Sequence, residues 1–212
     1  MRKVALLAAL LGTGVLAVGA VAVANDDDGS GRNGARLNGY QEVNSVSTTG
    51  FGSFRLKINR DEQSVDYTLS YRDLEFPVTQ AHIHFAQRSV NGGIAVWLCD
   101  GVPGVAPDPP GPPAAVPPVC PPASGGTVEG TVTPNELQNA GGRGLGPGTG
   151  AGNEREWEEF VAAIKVGHTY ANVHTGSAGP PVVGFPGGEI RGQINDRDQK
   201  EYTGPPPFAF DD

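Results

Sequence analysis

Two runs in the first half of the chain alternate strictly between apolar and polar residues. In "FRLKI", Phe54, Leu56 and Ile58 are separated by Arg55 and Lys57. In "VDYTLSYR", Val65, Tyr67, Leu69 and Tyr71 alternate with Asp66, Thr68, Ser70 and Arg72. A period of two marks a strand with one buried face, and "NRDEQ" between the runs supplies a turn. "QAHIHFA" and "GIAVWLC" form a second pair, joined by "QRSVNGG", whose Asn-Gly-Gly is a turn signal. Strands resume at "GTVEGTVT". The following "TPNEL" reads as a helix start, with Thr133 as cap, Pro134 at the first position and Glu136 three residues after the cap. "NEREWEEFVAAIKVG" is the best helix. Trp157, Phe160, Val161 and Ile164 keep the i, i+3, i+4, i+7 spacing, acids fill its first turn, and Lys165 and Gly167 close it. "HTYANVHT" and "GEIRGQI" are the last two strands.

The connections are long and rich in Pro and Gly. Residues 25–34 form a polar leader, 100–125 a Pro/Gly-rich insert that cannot pair as a central strand, and 196–212 an acidic tail read as disordered. Residues 35–195 therefore read as one all-β domain, an antiparallel sandwich or barrel with one accessory helix.

The first residues change the setting. "MRK" is followed by an uncharged apolar run over residues 4–24 that ends Ala22-Val23-Ala24, a small-x-small cleavage site. Residues 1–24 are read as a signal peptide in preference to a retained membrane anchor, although the run is nearly long enough to span. No Cys stands at the cut, so a lipid anchor is not indicated. Cleavage would remove Arg2 and Lys3 from the 15 basic residues and none of the 23 acidic ones, leaving a net charge of −10. Such a chain has no electrostatic footprint for nucleic acid, and none for an anionic membrane once the signal is gone. Cys99 and Cys120, the chain's two cysteines, suggest a disulfide in an exported protein. Closing that loop contributes on the order of 3 kcal/mol in the chain-entropy model.

Candidate chemistry gathers on three strands. On 81–85 the apolar side is Ala81, Ile83 and Phe85, which leaves His82 and His84 on the other. On 170–174 Tyr170, Asn172 and His174 share a side, and on 189–194 Glu189, Arg191 and Gln193 do. If the apolar sides face inward in one sheet, the other face collects a set dense for a solvated surface. One reading is a structural polar layer, with Asn172, Arg191 and Gln193 as its members; the residues by themselves favour it. The other is a copper or zinc site made of His82, His84 and His174, with Glu189 as a fourth ligand or an orienting partner. His168, after the helix-ending Gly167, is read as an exposed turn residue. Trp97 and Trp157 are read as core. No nucleophile elbow, Cys–His pair or phosphate loop is present.

"LNGYQEV" at 37–43, "AHIHFA" with a following "NGG", "GTVEGTVTPNEL", "YANVHTG" and "GGEIRGQI" occur in that order. Together they resemble the CHRD domain, the module first recognised in chordin and widespread in exported bacterial proteins. The chain departs from that pattern at "EVNSV", where many members read Glu-Val-Pro-Pro, and in its long insert. The resemblance implies an immunoglobulin-like β-sandwich in an extracytoplasmic setting; it does not imply an enzyme. Copper–zinc superoxide dismutases offer a fainter likeness, with a His-x-His on a strand of a Greek-key sandwich and a later His completing the copper site. His82, His84 and His174 would match. The metal-bridging His and the zinc-loop His and Asp set are missing, so dismutase activity is not expected, while a bare copper site stays open. The expectation is a non-enzymatic exported binding or structural module whose partner is an extracytoplasmic protein or envelope component. The alternative is a metal-binding protein.

Overall fold

The computed structural model describes residues 32–101, 116–145, 153–177 and 183–195. The signal segment with its cut after Ala24, most of the Pro-rich insert and the acidic tail lie outside them. Eight strands are formed: β1 (Arg32–Asn38), β2 (Phe51–Ile58), β3 (Val65–Arg72), β4 (Val78–Phe85), β5 (Gly93–Asp100), β6 (Gly125–Val132), β7 (Thr169–Gly176) and β8 (Gly184–Gln193). One helix, α1 (Asn153–Lys165), precedes β7. β1 begins inside the segment read as a leader.

The strands make one antiparallel sheet in the order β5-β4-β7-β8-β1-β2-β3-β6. The all-β class with one helix agrees with the sequence. The pairing describes a single eight-stranded sheet curled nearly into a barrel. In β2 and β3 the alternation holds residue by residue, with Phe54, Leu56, Ile58, Val65, Tyr67, Leu69 and Tyr71 buried. They meet Ala81, Ile83, Leu98, Val173 and Ile190 in one core. The curl needs one close approach, where β8 crosses β1. A Cβ on Gly192 would overlap the Arg36 carbonyl oxygen, so only glycine lets the two backbones come together there.

β5 and β6 do not pair across the remaining gap. Tyr67 donates its hydroxyl to the Leu98 carbonyl at 2.7 Å. Gln138 N–H donates to Ala95 O at 2.7 Å and Ala140 N–H to Ile94 O at 3.1 Å, covering the open edge of β5. That explains why "TPNEL" yields a single 3-10 turn, Pro134–Glu136, with its capping box. The helix start is real, but the N–H groups that would continue a helix are taken by β5.

At the other end of β5, Cys99 and Cys120 form the expected disulfide. Cys120 N–H donates to Asp100 O at 3.0 Å, and Asp100 N–H to Pro118 O at 2.9 Å. Residues 118–120 are thus fastened to the end of β5. α1 closes the end of the curl near the β2–β3 turn. It buries Trp157, Phe160, Val161 and Ile164, and Trp157 Nε1 donates to Glu62 O at 2.5 Å. Among the described residues no helix is long and apolar enough to cross a membrane.

The disulfide gives the first prediction. Replacing Cys99 and Cys120 together by serine lowers unfolding stability by about 3 kcal/mol, read as a lower urea midpoint. An unchanged midpoint contradicts a structural role for the bond.

Candidate metal centre

β4, β7 and the last turns of β8 are buried on both faces. The inward face is apolar, as expected. The outward face, which a half-wet sheet would leave in water, is covered by the chain around Gly39–Glu42, by the 86–92 loop and by the start of β8. This is the geometry that brings the sequence-predicted polar residues together and removes them from solvent.

Register fixes the neighbours. His82 lies opposite Asn172 on β7 and opposite Trp97 on β5, and His84 lies opposite Tyr170. His174 sits two residues from Asn172 on the same side, diagonal to His82. The ring centroids of His82 and His84 are 5.3 Å apart, those of His82 and His174 5.0 Å, and those of His84 and His174 5.7 Å. One ligating nitrogen from each of the three lies within 4.8 Å of the others. Relative exposures are 0 % for His82 and 7 % for His84 and His174.

The hydrogen bonds orient two of the rings. Nδ1 of His84 is 3.0 Å from the Gly92 carbonyl oxygen, and Nδ1 of His174 is 2.9 Å from that of Pro186. A carbonyl can only accept, so both rings carry their proton on Nδ1 and leave Nε2 with a free lone pair. Those two Nε2 atoms and both ring nitrogens of His82 are buried with no hydrogen-bond partner in the protein. An unsatisfied buried polar atom costs about 1–3 kcal/mol. Four of them in one cluster need a physical reason.

Burial holds the imidazoles neutral. It pushes His84 down to about 3 and His174 to about 4, and drives His82 well below the usual 6.5. The other histidines add to the depression of His82 and His84. Neutral imidazole is the ligating form. Bonds of 2.0–2.1 Å imply nitrogens roughly 3.3 Å apart around a tetrahedral ion, so loading requires a modest inward closing of the rings.

The polar layer proper stands beside this cluster. The Arg191 guanidinium lies 3.3 Å from the centroid of the Tyr170 ring, which stacks on His84 at 4.7 Å and 3°. Arg191 also donates to Val90 O at 2.9 Å, and the Tyr170 hydroxyl accepts from Gly92 N–H at 3.2 Å. Both hold the loop whose Gly92 carbonyl orients His84. Asn172 Nδ2 donates to Glu42 Oε1 at 2.9 Å, and Gln193 Nε2 donates to Ala86 O at 3.0 Å and Gly167 O at 2.6 Å. Burial pushes Glu42 up to about 7, against the opposing effects of Arg191 and the Asn172 bond.

Glu189 is not among the clustered ligands. The β7–β8 register shifts between Val173 and Thr175, and the Glu189 carboxylate turns to other partners. It accepts from Thr48 Oγ1 at 2.5 Å, Thr175 Oγ1 at 2.6 Å and Glu75 N–H at 2.9 Å. His168 is exposed, as read. Trp157 is core, whereas Trp97 is half-buried with its ring 4.2 Å from that of His82. Tyr170 was placed on the side of Asn172 and His174 but given no role, and Glu42 was not singled out by the sequence. Glu42 lies in a loop, where no periodicity points. A signal did exist for its setting, since Gly188 at φ +124° leaves room for the Glu42–Asn172 contact that a Cβ would fill.

A family model described as the CHRD domain matches residues 34–194. No curated protein and no solved structure matches the chain.

Two predictions follow from the geometry. Unfolded histidines take up protons near pH 6.5, whereas the folded ones resist until about 3 to 4. The unfolded state then binds more protons across that window, so stability falls with falling pH by up to about 1.4 kcal/mol per unit per histidine. In thermal scans of the chelator-treated chain, Tm declines steadily from pH 6.5 towards 4, with a shallower slope in His82→Leu. Equal slopes contradict the assignment. Separately, Glu189→Ala strands two hydroxyls and one N–H and lowers stability by about 3 kcal/mol.

Proposed function

The chain belongs to the CHRD domain family, and on that premise we propose that it is a non-enzymatic extracytoplasmic module that binds a transition-metal ion, copper or zinc, through His82, His84 and His174. One observation carries the reading. Four buried ring nitrogens have no hydrogen-bond partner, while the remaining nitrogens of His84 and His174 are fixed by backbone carbonyls. Backbone bonds of that kind set tautomer and ring direction in histidine metal sites. A purely structural layer accounts for Arg191, for Glu189 and for the amide N–H groups of Gln193, whose contacts are described above. It does not account for three imidazoles that bring unpartnered buried nitrogens within 4.8 Å of one another.

The extracytoplasmic setting is supported by the family, by the Cys99–Cys120 bond and by the signal-like first residues. The partner of such a module is a protein or polymer of the cell envelope.

The test is elemental analysis of the purified chain after equilibration with copper and with zinc. The expected result is about one ion per chain, lost in the His82→Ala, His84→Ala double variant and kept in Glu189→Gln. Circular dichroism establishes that the variants are folded. Absence of stoichiometric metal, or metal retained without both histidines, removes the proposal.

A further inference from the structure

We propose that this site takes its metal as copper(I), in a closed three-nitrogen pocket whose outer wall is the Trp97 indole; the inference rests on the metal-binding reading above.

Charge is the first argument. The clustered donors are three neutral imidazoles, and no carboxylate or thiolate joins them among the described residues. Glu189 serves Thr48, Thr175 and Glu75, Glu42 reaches Asn172, and both cysteines are in the disulfide. The charged group stacked nearest is positive: Arg191 lies on Tyr170, which lies on His84. A divalent ion here would keep its full charge in a low-dielectric setting with no anion against it. Because the Born cost rises with the square of the charge, a monocation incurs about a quarter of that penalty.

Coordination is the second. A three-histidine zinc site completes its tetrahedron with water in an open position, and copper(II) asks for a tetragonal donor set. A d10 monocation is content with three donors. The three imidazoles are buried, at 0 % to 7 % exposure, and two cavities of about 400 and 150 Å³ lie beside Arg191 and Trp97 instead of opening onto them. The smaller one is lined by Trp97, Pro117 and Pro118. Trp97, directly opposite His82 in register, therefore stands between that cavity and the cluster. An indole in this place excludes water, and its ring favours a soft cation at close range.

The experiment uses the full chain under anaerobic conditions. Copper(I) is delivered from a chromophoric copper(I) chelator with ascorbate, and zinc(II) and copper(II) are offered in parallel competitions. Copper(I) is expected to bind at least about a thousand-fold more tightly than zinc(II), against the order of divalent ions alone. Tryptophan fluorescence should fall on loading. Trp97→Phe should abolish that change while the ion still binds within about ten-fold of wild type. Zinc(II) bound tightly through the histidines, with copper(I) failing to outcompete it, overturns this inference and leaves the metal reading intact. If no metal binds, both readings fall. A fluorescence response unchanged in Trp97→Phe removes the wall assignment. Should that variant not fold, the competition on the native chain still decides the ion.

Discussion

A strand buried on both faces must satisfy every polar atom it carries, because water cannot do so. β4 and β7 are such strands. Their inward face contributes Ala81, Ile83, Ala171 and Val173 to the core, and their outward face is roofed by loops. Backbone groups are spent on the ladder, so the side chains of the outward face have to find partners among themselves and in the roof. The rest of the molecule is arranged around this requirement. Gly192 allows β8 to reach β1 and close the curl, and Gly188 leaves space for Glu42 and Asn172. The 86–92 loop returns its carbonyls to Arg191, Gln193 and His84.

The requirement is met unevenly, and the unevenness is informative. Arg191 stacks and donates, and Gln193 bridges the carbonyls of Ala86 and Gly167. Glu189, fully buried, accepts three hydrogen bonds. Beside these residues, of which Gln193 alone keeps an unpartnered Oε1, three histidines bring unpartnered ring nitrogens within 4.8 Å of one another. A core that needed only to be filled would have used leucine or phenylalanine at these positions without any desolvation cost. The expense of burying imidazoles is coherent when something accepts their lone pairs.

Much of this was legible in the sequence, for a physical reason. Period-two alternation is strongest where one face is core, and so the faces of β2, β3 and β4 read correctly down to individual residues. Assigning His82, His84, Asn172 and His174 to one face required nothing more than parity. Parity failed at Glu189, because a register shift after Val173 redirects its side chain, and a bulge leaves no trace in the alternation. The start of β1 was hidden because Asn33 and Gly34 in the middle of a polar run look like linker. "TPNEL" carried true helix-start chemistry, but the competing demand of the β5 edge for donors is a long-range fact. Whether the outward face was wet or roofed also depended on loops, whose paths have no periodicity, and this tipped the reading from a hydrogen-bond layer towards a ligand site.

Burial also decides how an ion could reach the cluster. A closed site exchanges its content only by moving what covers it. On one side the cover is the 86–92 loop, and lifting it breaks the Arg191 bonds to Val90, Gln87 and Asn91, as well as the bond from Gly92 N–H to the Tyr170 hydroxyl. On the other side the cover is Trp97, a single half-buried side chain bordering a cavity. Swinging one indole towards that cavity disturbs less structure than unfolding a hydrogen-bonded loop. Pro117 and Pro118 form the far wall of the same cavity, and the Cys99–Cys120 bond fastens them along β5. Val116, Pro117 and Pro118, held beside β5 next to the disulfide, therefore border the same cavity that Trp97 lines.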